Sequence, residues 1–305
     1  MKIPAKFAVI LVSLLWGSEW LFRLSGDTSL TGLPPFRVLA LRYFITAIVL
    51  IPWAIPRRKR PALSIPLLPN ILLGTVLIAL PTIYLANRSD LSPGLVVLIF
   101  ATIPLVASML ESNSGLTGAP ALLGGLAGTA FLVRGSLSSS TSQALSLIGL
   151  ALIVVAIAAV LVRARATLAI ANLPASVLVQ MLTAGILFGL YSLLFEHLPP
   201  AAWTGAQITV VVILGTFGSA AAYCLFYLAL VELKASQISA VQWLIPAVGI
   251  AETALWFRHL PEWGSLAGGL LAIGCAVTLL YASKQDDDTL TLQITEAAEH
   301  QNARL

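Results

Sequence analysis

The stretch Tyr227 to Leu280, YLALVELKASQISAVQWLIPAVGIAETALWFRHLPEWGSLAGGLLAIGCAVTLL, is two apolar runs joined by a short polar corner, and an earlier copy of the same text runs from Tyr84 to Val133. Tyr84-Leu85-Ala86 returns as Tyr227-Leu228-Ala229 after 143 residues, Pro104 returns as Pro246 after 142, and Gly124-Gly125-Leu126-Ala127 returns as Gly268-Gly269-Leu270-Leu271 after 144. One or two inserted residues reconcile these landmarks, so the chain reads as a duplication. In a hydrophobic chain such a repeat has a physical meaning: two related halves face each other across a site near the bilayer midplane, with helices broken at corresponding places. Pro104 and Pro246 each remove a backbone donor near the centre of an apolar run, and they are the expected helix breaks beside a central cavity.

Composition fixes the solvent. Hydrophobic residues make up 58% of the chain and charged residues 10%, with a mean hydropathy of +0.95, whereas soluble domains carry roughly 25% charge. A bilayer core takes roughly 20 apolar residues per helix, and only helices or closed barrels satisfy their backbones there. The apolar runs are long and do not alternate, which selects helices over a barrel. The fold class expected is an all-α integral membrane protein of ten transmembrane helices, arranged as two inverted five-helix repeats.

Taken in order, the spans fall at about residues 6–24, 36–55, 67–86, 93–110, 120–133, 145–162, 174–195, 208–230, 238–257 and 263–282. The first resembles a signal peptide in having lysines ahead of an apolar core, but no small-x-small cleavage site follows, so it reads as a retained helix. Residues 1–135 form the first repeat, the serine-rich segment 136–143 the connecting loop, and 144–283 the second repeat; the polar residues 284–305, with Asp286, Asp287 and Asp288, read as a disordered cytoplasmic tail. Gly124 and Gly128 in the short fifth span have the spacing of a close helix contact.

The net charge of +4 does not form a stripe for nucleic acid. Lys2, Lys6, Arg57 to Arg60, Arg163, Arg165, Lys234 and Lys284 fall on one side of an alternating path, and Arg23, Arg37, Arg88, Arg134 and Arg258 on the other. The positive-inside rule makes the first side, with both termini, cytoplasmic. Cys224 and Cys275 lie within apolar runs and form no metal or disulfide pattern, and His197, His259 and His300 are scattered. No phosphate-binding glycine loop and no nucleophile or zinc-protease motif is present. No cofactor and no metal is expected; the partners are a small-molecule substrate, protons and the lipid bilayer.

Leu15-Trp16-Gly17-Ser18 in the first span, Pro35-Phe36-Arg37 with Ala40-Leu41-Arg42-Tyr43-Phe44 in the second, and the repeated proline and glycine landmarks together resemble the EamA-type transporters of the drug/metabolite transporter superfamily. The resemblance covers residues 6 to 283. It implies a ten-helix carrier of the inner (plasma) membrane built from two inverted repeats and exporting amino acids or related small metabolites. The chain departs from the pattern where relatives carry Gly-Glu between the last two helices of each half: the corners here read Ser114-Gly115 and Arg258-His259.

Charges inside a bilayer face a bundle interior or a watery cavity. Glu19 and Arg42 lie at similar depth, each about six residues from the same face, and so form a candidate ion pair, with Arg23 as a rival partner one turn from Glu19. Glu252 and Glu111 follow Pro246 and Pro104 by six and seven residues. Inversion leaves Glu111 near the cytoplasmic face and Glu252 short of the outer one, which makes Glu252 the proton-coupling candidate. The substrate-binding candidates are Trp16, Ser18, Glu19, Arg42, Tyr84, Gln180, Tyr227, Gln242 and Trp243, a set of aromatics with a few polar groups of the kind a small-molecule site needs. The reading is a secondary transporter, an exporter working by alternating access and coupled to protons. An importer or an organic-phosphate antiporter is the rival within transport, although a phosphate carrier calls for more buried cations than Arg42. A membrane scaffold or intramembrane enzyme is the rival of another class, and an enzyme calls for a convergent nucleophile and base.

Overall fold

A computed structural model describes residues 3–20, 30, 33–54, 67–88, 90–111, 118–137, 143–168, 173–196, 203–258 and 261–281. Arg23, Arg57 to Arg60, Ser114-Gly115, His197, His259 and the tail from Lys284 lie outside them. Ten helices form, and there is no strand among the described residues. They are α1 (Ala5–Gly17), α2 (Pro35–Ala54), α3 (Leu67–Ala86), α4 (Pro93–Leu110), α5 (Ala119–Val133), α6 (Ala144–Leu168), α7 (Leu173–Phe195), α8 (Gly205–Glu232), α9 (Ala235–Trp256) and α10 (Trp263–Tyr281). Eight are long and apolar enough to cross a bilayer; α1 has 13 residues and α5 has 15. Each half holds five helices, so the second half runs in the opposite direction to the first.

The outer surface is made for lipid. Leu145, Leu193 and Leu255 are each about four-fifths exposed, and Trp53, Trp256 and Trp263 stand exposed at helix ends, where indole rings anchor at the headgroup level. The main core joins α1, α2, α3, α4, α6, α7, α8 and the start of α9, and a smaller cluster around Trp243 ties in α5 and α10. The most extensive helix contact is between α2 and α7, which are counterparts in the two halves. Phe36 lies 4.2 Å from Tyr191 and 5.9 Å from Phe188 between ring centres, and Tyr43 stacks on Phe188 at 5.6 Å.

The helices are irregular where the duplication predicts it, with one shift. α4 is interrupted at Ala101–Thr102 and resumes at Ile103, which places Pro104 in the first turn of a new segment, where the missing N–H costs nothing. α9 is interrupted at Ser239–Ala240, whereas Pro246 lies inside the continuous helix Val241–Phe257. The expectation of a break at Pro246 is therefore corrected: the interruption comes near the start of α9, and what the proline does is deprive the Gln242 carbonyl of its i+4 donor. α1 is also shorter than expected, since Ser18–Trp20 is a 3₁₀ turn, so Glu19 sits in a tight turn and not in a straight helix. The sequence does not announce a pair of π-helical turns, Gly74–Ala79 in α3 and Leu214–Ala221 in α8, at matching places in the two halves. At the end of α9, Arg258 takes a left-handed conformation with φ 52°, the backbone that closes many helices.

α5 and α10 cross backbone to backbone. A Cβ on Gly128 would lie 2.6 Å from the Ala272 nitrogen, and one on Gly268 would lie 2.6 Å from the Gly128 oxygen, while Gly124 faces the Cys275 sulfur. This is the close contact expected from the Gly124 and Gly128 spacing. Gly268→Val should force the two helices apart at a cost of about 1–3 kcal/mol. A thermal melt of the purified protein should show a clear fall in Tm, and an unchanged melt would mean that the crossing is looser than described.

Candidate functional site

Chain direction alternates from helix to helix, so the bundle has two ends; the end where α1 begins is here called the lower end. Lys6 there lies 3.7 Å from the centre of the Tyr281 ring, and Arg163, Arg165 and Lys234 sit at helix termini of the same end. At the upper end Arg134 pairs with Glu262 at 2.9 Å.

Two adjoining cavities, of about 430 and 330 Å³, share Trp16, Glu19, Phe100 and Gln242 as walls. The larger lies in the upper half, between Val96 and Val97 of α4, Leu132 and Val133 of α5, and Ile245, Pro246, Gly249 and Ile250 of α9. The smaller reaches the middle of the bundle and is lined by Leu39, Arg42, Tyr43, Leu77, Thr82, Tyr223, Phe226 and Ser239 among others. The walls are mostly aromatic and aliphatic, and the charged groups on them meet in one place.

That place is the guanidinium of Arg42. Glu19 accepts from it through both carboxylate oxygens, Oε2 at 2.8 Å from Nη1 and Oε1 with Nη2; Nε donates to the Ser219 hydroxyl at 2.7 Å, and Nη2 also donates to the Gly218 carbonyl at 3.1 Å. Both Gly218 and Ser219 belong to the π turn of α8. A π turn breaks the i+4 register and leaves carbonyls to find other donors. Gly218 O takes Arg42 and the Trp16 indole N–H at 3.0 Å, and Gly215 O takes the Thr46 hydroxyl at 2.8 Å. Glycine is needed at 218, since a Cβ would come within 2.8 Å of Glu19 Oε1. The Arg42 side chain is 7% exposed and that of Glu19 22%; Glu19 lines both cavities and Arg42 the smaller one.

The remaining candidates divide. Trp16 and Gln242 line both cavities with Glu19. The Ser18 hydroxyl lies 2.7 Å from the Leu14 carbonyl and 2.6 Å from Glu252 Oε1, while Glu252 Oε2 is buried with no partner. Ser18 and four further substrate-binding candidates are not on the walls of these two cavities. Tyr84 donates to the Ser146 carbonyl of α6 at 2.8 Å, and Gly149 gives its ring room. Tyr227 is fully buried against Phe226 and Tyr223, its hydroxyl without a partner. Trp243 is fully buried and donates to the Ala101 carbonyl at 2.8 Å. Gln180 is fully buried on α7 and donates to Asn70 of α3 at 2.8 Å. Among residues the sequence reading passed over, Phe100, Tyr223 and Phe226 supply cavity wall and Ser219 holds the arginine. The one available signal was the run of small residues Gly215, Gly218 and Ser219 within an apolar span.

A multi-pass bundle with a polar pair inside an apolar cavity defines a membrane protein of the solute-carrier kind. The EamA-like transporter family matches residues 3–114 and 144–281, and the chain belongs to that family; its members are membrane transporters of the drug/metabolite transporter superfamily. One protein of known crystal structure superposes with a TM-score of 0.73 at 19% identity, covering 91% of this chain and 96% of that one, a likeness of fold alone. Comparison with the curated proteins finds no match.

Removing one member of a buried pair leaves the other charged and unpaired, at about 3–5 kcal/mol. Arg42→Ala and Glu19→Ala should each lower thermal stability by that order, and the double variant should lose less than the sum of the two. A double-mutant cycle on Tm measures this; additive losses would mean that the two side chains do not share a contact.

Proposed function

We propose that the protein is a secondary transporter that exports a small amphipathic metabolite, an amino acid or close analogue, by alternating access between its two ends. The observation that carries the reading is the Glu19–Arg42 pair at the foot of an apolar cavity. A zwitterion presents an ammonium and a carboxylate to just such a pair, and the Gln242 amide stands beside it on the wall. The aromatic rings of Trp16, Tyr43 and Phe100 suit an apolar side chain. An organic phosphate fits less well, because Arg42 is the one buried cation among the described residues and Glu19 already neutralises it.

The two halves, 1–135 and 144–283, are read as inverted repeats. The lower end is taken as cytoplasmic on the positive-inside rule, which puts both termini there in an inner (plasma) membrane protein. In that orientation the larger of the two cavities lies in the outer half of the bundle.

Glu252 is the proposed proton carrier. What supports the reading is its setting: Oε1 accepts from the Ser18 hydroxyl at 2.6 Å, and Oε2 is buried with no partner.

Growth of a strain lacking its own exporters, with and without this protein, against a panel of toxic amino acids and analogues identifies the substrate; protection by expression is the expected result, and no protection across the panel counts against the reading. In vesicles holding the purified protein, Glu252→Gln should then keep substrate exchange and lose accumulation driven by a pH gradient. Exchange needs only reorientation with substrate bound, whereas coupled transport needs a group whose charge changes between the two faces. A Glu252→Gln protein that still concentrates substrate at the normal rate places the proton elsewhere.

A further inference from the structure

Helices α4 and α9 are hydrogen-bonded to each other at the lower end and in the middle, and line a cavity together at the upper end. At the lower end Glu111, which closes α4, accepts from the Ala235 backbone N–H at 2.6 Å through Oε1 and from the Ser236 hydroxyl at 2.6 Å through Oε2. Both oxygens thus engage the first two residues of α9. In the middle, the Trp243 indole donates to the Ala101 carbonyl where α4 is interrupted, and Gly125 of α5 leaves space for the ring, since a Cβ there would come within 2.5 Å of it. Above that contact Val96 and Val97 of α4 and Gly249 and Ile250 of α9 line the larger cavity, together with Leu132 and Val133 of α5. Glu252, the counterpart of Glu111 in the second repeat, makes no such bridge: Oε1 meets Ser18 of α1, and Oε2 has no partner.

Two helices held together at one end and at the centre, and lining a cavity at the other, have a simple way to exchange openings, which is to turn about the joint, near which both are interrupted, at Ala101–Thr102 and at Ser239–Ala240. Charge-assisted hydrogen bonds are strong enough to hold such a joint shut and, at the end of a bundle where water can replace each partner, cheap enough to break. A buried apolar seal has no such replacement partner. We propose that the Glu111 carboxylate is the latch of the lower gate: it holds α9 to α4 while the upper cavity is open, and the gate opens when Ala235 and Ser236 leave it and α9 turns about Trp243. The proposal rests on the alternating-access reading given above.

The test uses the full-length protein in nanodiscs, where both ends are in contact with solution, with Cys224 and Cys275 replaced by alanine. One background carries Ala235→Cys, at a position with no exposure, and another carries Ile250→Cys on the cavity wall. The readout is the rate of reaction with a hydrophilic maleimide. Glu111→Ala should raise the rate at 235 by about tenfold or more, in keeping with the loss of two bonds to a charged acceptor, and should lower the rate at 250 at the same time. Glu111→Gln, which keeps the shape and one acceptor oxygen, should fall between, and it guards against a mere failure of Glu111→Ala to fold. If the rate at 235 rises while that at 250 is unchanged, Glu111 is a local packing contact and the latch is overturned. If both rates stay at their starting values although both positions react without the Glu111 change, the carrier reading stands and the latch is again overturned. If position 235 never reacts in any variant, the lower end does not open, and the carrier reading falls together with the latch.

Discussion

The structure depends on keeping one guanidinium out of lipid. An arginine near the middle of an apolar bundle is tolerable only if its charge is matched and its donors are used, and meeting that demand for Arg42 explains several irregularities at once. The 3₁₀ turn that ends α1 brings Glu19 to the guanidinium. The π turn of α8 frees the Gly218 carbonyl and places the Ser219 hydroxyl beside Nε. Gly218 has no side chain because the ion pair occupies that space. The same turn accepts the Trp16 and Thr46 donors, so α1, α2 and α8 are fastened together around the pair. The cavity is polar at its foot because the fastening is there.

Duplication supplied the frame, and divergence made it functional. The two π turns, the interrupted α4 and α9, and the contact between α2 and α7 all follow the repeat. The chemistry does not. Gln180 of α7 stands six residues after Pro174, much as Arg42 of α2 stands seven after Pro35, yet it meets Asn70 in a neutral, fully buried contact with its Oε1 unpartnered. Glu111 caps the start of α9, whereas its counterpart Glu252 turns to α1. One half therefore carries the charged site and the other a quiet version of the same surface.

Much of this was legible in the sequence because the bilayer imposes simple rules. Long apolar runs count the helices, and the expense of a charge in lipid makes Arg42 a candidate partner of Glu19, with Arg23 as its rival. What stayed hidden depends on local geometry that a sequence encodes weakly. A π turn differs from an α-helical turn by one residue, and small residues permit it without requiring it. Pro246 drew attention as a break, but the helix absorbed it, and the interruption falls at Ser239–Ala240. Trp243 and Tyr227 are large aromatics beside cavity-lining neighbours, and only the direction of each side chain separates a buried strut from a wall. Glu111 looked like an acid near water, and its bond to α9 requires knowing that α4 and α9 meet.

In a carrier of the proposed kind, the solute reaches the Glu19–Arg42 pair through the cavity. Leu39→Cys, on the wall of the inner cavity beside Arg42, reports on this directly in cells whose other two cysteines have been replaced. The account predicts that an impermeant thiol reagent added outside intact cells labels position 39, and that the compound singled out by the growth panel slows the labelling in a saturable manner. A thiol there that never reacts, or that reacts at a rate the compound does not change, would contradict it.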